Sequence, residues 1–492
     1  MLPCTGESGV AARENGMSQA NEIHPVDERL PLSKLIPFGL QHVLVMAASP
    51  ITSAFLVSKA LNLSSALTIQ LISATFLVCG IGSLVQSFGP WKIGARLPFI
   101  MVPGGAPIVL FVTIAQQRDL PTAAGAVILT ALFYFLVLPV FARCLKYFPR
   151  IVIGTMLLLV AVNLIKVYGS IIVGKPGTAD FAAPANIGFA MATIGFTVVF
   201  ARVLSGMAGQ LSVLLGLLAG AVLAAAFGAM DFTGVASGPL VSVPSFFPFG
   251  QPVFDIVAAV PLLLFSIISM AEATGQTVAV AEVVGKAIDP RDAVTRTIRG
   301  DALMSLLGAT LGTSLIITSG ENIGIVRATG IRSRYVTAAA GVILVLVALF
   351  APLGRLANAI PSAVVGGTAM IVFAIIGTMG VDMLRSVDLR RHSNLFILAS
   401  GLTLGLLPIV VPGLYSKFPA NAQILLGNGL AMGVITTIVM NILFHHIGSG
   451  PAEASAARPD ALGNPVAGST GGAGGSGAAT VAAAASRAMP HS

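Results

Sequence analysis

Apolar runs of about twenty residues recur along this chain, near 36–58, 66–86, 123–142, 150–172, 186–204, 210–229, 253–275, 336–352, 364–380, 394–412 and 424–446. As a helix, each is long enough to cross a bilayer core of ~30 Å. A segment inside hydrocarbon must satisfy its own backbone hydrogen bonds, so this recurrence predicts an all-α polytopic membrane protein. The charge content agrees: 9% of the 492 residues are charged and 55% hydrophobic, whereas a soluble domain carries about 25% charge. The formal charge of +8 does not point to nucleic acid, because the basic residues are spread through short loops and form no patch. Cys4, Cys79 and Cys144 include no CxxC pair, which argues against a disulfide framework or a zinc site.

Three further stretches are broken or weak. Residues 97–116 carry Pro98, Pro103, Gly104, Gly105 and Pro107; residues 301–317 begin at Asp301; residues 318–330 are too short to span. Eleven long runs and these three give fourteen elements, an even number that puts both termini on one side. Lys59, Arg118, Lys166, Lys175, Arg355 and Lys417 fall in loops of one parity, and sixteen basic residues from Lys92 to Arg391 fall in the other. Basic residues accumulate in cytoplasmic loops, so both termini are expected inside the cell (inner) membrane. Residues 1–33 are then a polar cytoplasmic segment and 34–447 the membrane domain. The Gly/Ala/Ser-rich tail 448–492 has too few large apolar groups to pack and is expected to be disordered.

Segments 97–116 and 318–330 are each the third element of a seven-element half. Interrupted segments at corresponding places point to a transport site, because unwound backbone at membrane depth must line a cavity or be buried in protein. A helix restarting there presents free N–H groups and a positive dipole end. Two carboxylates lie in the same apolar surroundings, Glu272 and Glu321. Each costs ~2.5–3.5 kcal/mol to insert, which makes them functional candidates. Gln276 lies one helical turn past Glu272, and Gln41 and His42 stand near the start of the first run. There is no HExxH or GxSxG motif, and polar groups concentrate at two mid-chain sites instead of lining a continuous pore. The pattern therefore argues against an enzyme and against a channel, and no cofactor or metal is expected.

Glu321-Asn322-Ile323-Gly324 followed by Thr329-Gly330 resembles the signature of the nucleobase–ascorbate transporter family. Gln41-His42 is similar to that family's first-helix pair, and Glu272-Ala273-Thr274-Gly275 to its eighth-helix motif. Asp301 falls where the family carries an acid at the start of the ninth helix. Phe148-Pro149 with Gly154-Thr155, and Ile360-Pro361 with Gly366-Gly367, resemble further landmarks, so the likeness runs from about Leu35 to Ile447.

The resemblance implies two inverted seven-element repeats, with elements 3 and 10 each a short strand plus a half-helix. It implies a core (elements 1–4 and 8–11, about 34–142 and 253–352) and a gate (elements 5–7 and 12–14, about 150–229 and 364–447). It also implies a homodimer that moves a nucleobase with protons; sodium is the less favoured ion. Glu272 and Glu321 would hold the base between the half-helices, with Asn322 and Gln276 beside them. Backbone N–H groups at Gly104, Gly105 and Gly320 would donate to the base carbonyls. His42, Gln41, Asp301 and Thr329 would support the site or the coupling. The chemistry is consistent, since carboxylates accept strong bonds from ring N–H donors and would repel a carboxylate or sulfate. The third element has no aromatic in its Val102–Pro107 run, so base stacking falls to Phe99 or is absent. Glu321 resembles the uracil branch and Gly275-Gln276 the purine branch. The expectation is a purine such as xanthine or uric acid, with uracil next and an anion carrier of the same architecture third.

Overall fold

A computed structural model describes residues 24–144, 149–174, 177, 181–233, 235–236, 239–319, 322–419, 422–423 and 426–447. Glu321, Gly320, the first 23 residues and the tail from 448 therefore lie outside the described residues.

The first apolar run is two helices, α1 (Leu32–Met46) and α2 (Ala48–Ala60). Pro50 explains the break, since it cannot donate to the carbonyl four residues earlier, at Met46. α3 (Ser65–Phe88) starts at a Ser64 cap whose side chain accepts from Leu67 N and ends at Gly89, which takes the left-handed conformation. The third element is a strand, β1 (Ile100–Pro103), and a half-helix, α4 (Gly105–Gln117). Four long helices complete the first half: α5 (Leu120–Cys144), α6 (Arg150–Val173), α7 (Pro184–Val203) and α8 (Ser212–Ala226).

The second half repeats the series with α9 (Ile256–Val284), α10 (Pro290–Thr310), β2 (Ile316–Ser319), α11 (Asn322–Thr329) and α12 (Arg334–Leu349). A short α13 (Ala351–Ala359) precedes α14 (Ser362–Arg385), α15 (His392–Val410) and α16 (Gly429–His445). Among the described residues, eight helices are long and apolar enough to span, counting α1 and α2 as one. Four shorter apolar helices (α4, α8, α12 and α16), with α10 and the β2–α11 pair, complete fourteen elements. The chain is thus a multi-pass membrane protein.

The two halves pack as inverted copies. α5 lies on α10 and α9, and α12 lies correspondingly on α3 and α1. α7 pairs with α8 as α15 pairs with α16, and α14 contacts α7 and α8 as α6 contacts α15 and α16. α6 with α14, and β1 with β2, sit on the relating axis and pair with each other. Small residues permit the closest crossings, as expected for helices associating by van der Waals contact in lipid. A Cβ at Gly80 would lie 2.8 Å from the Gly341 carbonyl, and one at Gly380 would lie 2.9 Å from the Gly154 carbonyl.

One expected boundary is corrected. Asp301 does not open an element; it lies eleven residues into α10, 1% exposed. The helix starts earlier because Pro290 occupies its first turn and the Asp289 side chain caps Arg291 N at 3.0 Å. The charges of its first turns, among them Arg291, Asp292, Arg296 and Arg299, hide this start from a hydropathy reading.

Candidate functional site

The two broken elements meet in an antiparallel pair, with Ile100 opposite Ser319, Met101 opposite Thr318, Val102 opposite Ile317 and Pro103 opposite Ile316. Four-residue strands leave backbone groups that the pair alone cannot satisfy, and each half supplies a serine for this. Ser83 of α3 accepts from Met101 N at 3.1 Å. Ser305 of α10 accepts from Ile316 N at 3.1 Å and donates to Ile316 O at 3.0 Å. Buried backbone is thereby satisfied by hydroxyls from neighbouring helices, as non-helical segments at membrane depth require.

Behind β2 lies a fully buried polar node. Asp301 Oδ1 accepts from Thr318 N at 3.0 Å and from the Thr318 hydroxyl at 2.5 Å. The Gln86 amide of α3 donates to Thr297 O and Thr318 Oγ1, both at 3.0 Å, with Asp301 Oδ1 at 3.4 Å. Its carbonyl accepts from Ala95 N at 3.2 Å. Gln86 thus links α3, α10, β2 and the segment entering β1. Gly300 makes room for it, since a Cβ there would sit 2.4 Å from the Gln86 amide nitrogen.

α9 carries Glu272, half-buried, whose Oε1 accepts from Gln276 Nε2 at 3.1 Å. The Gln276 carbonyl oxygen is buried and has no protein partner. The Tyr134 hydroxyl of α5 is buried beside Ser269 of α9 and lies in the field of both Asp301 and Glu272. Thr277 donates to Thr297 at 2.9 Å and so ties α9 to α10 below the acid.

At the start of α11, Asn322 is fully buried and its amide donates to the Pro98 carbonyl. Its own carbonyl oxygen is a second buried acceptor without a protein partner. α9, which carries the Glu272–Gln276 pair, packs against α11, which begins at Asn322. At the opposing half-helix, Gly104 N is already committed to the Leu315 carbonyl at 3.0 Å, whereas Gly105 begins α4. Of the two glycines, Gly105 is the one whose N–H, at the first position of a helix, has no intrahelical acceptor.

The other expected residues have their own surroundings. Phe99 is fully buried in a separate apolar cluster with Leu97, Val280, Val284, Val326 and Val26, and offers no stacking face in this conformation. The Thr329 hydroxyl closes the end of its own helix, donating to Ile325 O at 2.8 Å and accepting from Ile331 N at 3.3 Å. His42 is buried with Nδ1 unpartnered, and the half-buried Gln41 has a buried, unpartnered amide nitrogen. Gln86, Thr318, Ser83, Ser305 and Tyr134 were not singled out from the sequence. Gln86 in the run GIGSLVQSFG was a legible signal, because it is a polar side chain within the second apolar run.

Comparison with known proteins gives a consistent result. Residues 33–414 match the xanthine/uracil permease model, described as Permease family. The chain is 31% identical over 417 residues to the nucleobase transporter PlUacP of Paenibacillus larvae subsp. larvae, covering 84% of this chain and 95% of that one. It is 30% identical over 411 residues to the uric acid permease PucK of Bacillus subtilis, with the same coverage of both chains. It is 28% identical over 424 residues to the uric acid transporter UacT of Escherichia coli, covering 85% and 88%. In three dimensions it resembles the transmembrane domain of a cyanobacterium bicarbonate transporter, BicA, with TM-score 0.53 at 15% identity, over 85% of this chain and 99% of that one. It also resembles SLC26A9, with TM-score 0.57 at 13% identity, over 85% and 67%. At such low identity these two likenesses establish the fold alone.

Proposed function

This chain belongs to the Permease family, and from that membership we propose that it takes up a purine, xanthine or uric acid, by proton symport and alternating access. It is a nucleobase transporter of a bacterial type, consistent with relatives named as nucleobase, uric acid and xanthine permeases. One observation carries the site assignment. The Glu272 carboxylate and the unpartnered carbonyl oxygen of Gln276 lie on α9, and the unpartnered carbonyl oxygen of Asn322 lies at the start of α11, which packs against α9. That is a set of acceptors, and oxidised purines present several ring N–H donors beside carbonyls. An unmatched buried acceptor costs roughly 1–3 kcal/mol, which a donor-rich base relieves on binding.

In this reading Glu272, Gln276, Asn322 and Glu321 face the base edge. Gly105 donates to it, with Gly104 and Gly320 shaping the break, and Phe99 contributes only after a rearrangement. Asp301, His42, Gln41 and Thr329 support the site, and the coupling proton is carried among the acids. Elements α1–α5 and α9–α12 form the core that holds the base, and α6–α8 with α14–α16 form the gate. The mutual packing of α6, α7, α8, α14, α15 and α16 supports this division. The protein works as a homodimer in the cell membrane with both termini cytoplasmic. An anion substrate is disfavoured by the acceptor-rich site.

The test is uptake of radiolabelled xanthine by cells expressing the chain, competed by unlabelled xanthine, urate, uracil and bicarbonate, with and without a protonophore. The proposal requires purines to compete best and the protonophore to abolish accumulation. Best competition by uracil, or sodium-driven uptake indifferent to the protonophore, overturns the corresponding half of it.

A further inference from the structure

The residues just before the first helix form a built structure that lies upstream of residue 33, where the family match begins. Pro25–Asp27 is one turn of 3-10 helix. His24 braces it twice: Nδ1 accepts from Val26 N at 3.2 Å, and Nε2 meets the Gly285 carbonyl at the end of α9 at 3.0 Å. Asp27 pairs with Arg334 at 2.6 Å and with Lys286 at 3.4 Å. Ser333 donates to the Glu28 carbonyl at 2.6 Å, and Arg334 also donates to Ser87 O at 2.6 Å, at the end of α3. The strap thus joins the ends of α3 and α9 to the start of α12.

Of its two apolar side chains, Pro25 is exposed and Val26 points inward. Val26 is 0% exposed and sits in one cluster with Val280, Ala281 and Val284 of α9, Val326 of α11, and Leu97 and Phe99 ahead of β1. Those are the three segments that carry Glu272, Asn322 and the Pro98 carbonyl that Asn322 bonds. α11 has only eight residues, too few to hold a helix in place by its own hydrogen bonds. Its far end therefore takes its position from what packs on it, and Val26 is part of that packing.

The opposite end of the molecule has a counterpart. The linker before α9 lies across the core and is tied by Val253 N to Pro121 O at 3.1 Å, by Phe247 N to Thr310 O at 2.7 Å and by an Arg118–Asp255 pair at 3.5 Å. Under the inverted repeat, Asp255 with Arg118 matches Asp27 with Arg334. Each half is strapped at its entry by an acid held by the other half, Asp27 by Arg334 at the start of α12 and Asp255 by Arg118 at the C-cap of α4.

We propose that His24–Arg29 is a positioning strap that sets α11 against α9 and so fixes the width of the base site, with Val26 and Asp27 as its positioning residues. This rests on the purine reading only for where the base sits. Two measurements on the full chain test it. In a Cys4→Ser, Cys79→Ala, Cys144→Ser background, Val26→Cys in purified detergent-solubilised protein should react with a maleimide at least tenfold more slowly than Glu28→Cys at an exposed position. Adding Asp27→Ala should remove that protection. In uptake assays normalised to membrane abundance, Asp27→Ala should raise KM for xanthine about three- to tenfold with kcat retained, and Asp27→Glu should restore it. Equal labelling of Val26→Cys and Glu28→Cys overturns the strap. Released labelling with an unchanged KM overturns the positioning role. If the wild-type chain accumulates no base at all, the purine reading fails, and the labelling result alone then decides whether the strap is docked.

Discussion

Gln86→Leu is the most informative single change at the node behind β2. The side chain is completely buried and makes three bonds of 3.0–3.2 Å, to Thr297 O, Thr318 Oγ1 and Ala95 N, with Asp301 at 3.4 Å. Leucine has a similar volume, so the cost is polar and leaves no large cavity. Asp301 keeps both bonds from Thr318, but Ala95 N loses its acceptor. Two lost neutral bonds at ~0.5–1.5 kcal/mol each and one orphaned, part-buried donor at ~1–3 kcal/mol give a total of about 2–6 kcal/mol. If about 2 kcal/mol of this appears in positioning β2 and the start of α11, kcat/KM falls roughly twenty- to thirtyfold at ~1.4 kcal/mol per tenfold. Gln86→Glu keeps an acceptor for Ala95 N but gives up the amide bonds to Thr297 O and Thr318 Oγ1, and should fall between wild type and Gln86→Leu. The assay is initial-rate purine uptake per molecule in the membrane, with thermal stability of the purified protein alongside. A leucine variant within twofold of wild type would show that the node is packing and not positioning.

Glu272→Gln, which leaves the shape but removes the charge that Gln276 bonds at 3.1 Å, should cut uptake at least tenfold with normal expression, and wild-type rates would sink the assignment. Glu321→Gln should change xanthine, urate and uracil affinities unequally, by roughly five- to 150-fold for the base that loses a partner; equal weakening of all three would place Glu321 outside the contact surface. For Asp27, burial pushes the carboxyl up, but the hydrogen bonds and charges of Arg334 and Lys286 outweigh it and hold the group below its ordinary value. A lowered folded value means its contribution is full above the ordinary carboxylate range and is lost only as pH falls through that lower value. Asp27→Asn should accordingly scale uptake by one factor from neutral to mildly acidic pH, and a displaced pH optimum would contradict this.

The legible part of the molecule was the part written in local periodicity. The eleven apolar runs became helices because each can satisfy its own backbone, eight of them long and apolar enough to span, and Pro103-Gly104-Gly105 marked a break because neither Pro nor Gly propagates a helix. The α1–α2 break was missed although Pro50 signals it, because the run stays apolar across the interruption. Asp301 was misplaced for the opposite reason, as the charged first turns of α10 look like loop to a hydropathy window while Asp289-Pro290 plainly start a helix.

The support of the site lay beyond local reading, because it is built from contacts across the whole chain. Met101 meets Thr318, Gln86 meets Asp301, Asn322 meets Pro98 and Asp27 meets Arg334, each across more than two hundred residues. Such pairs exist because the second half inverts the first, bringing element 2 of one half against elements 9 and 11 of the other. A polar side chain in an apolar helix is therefore ambiguous from sequence alone; what decides its role is the residue that the inverted copy places opposite it. For Glu272 the neighbour one turn away, Gln276, is already visible in the sequence, and the structure pairs the two. For Gln86 the deciding partner is a strand residue 232 positions away, and only the folded chain reveals that the amide holds the wall on which the second half-helix begins.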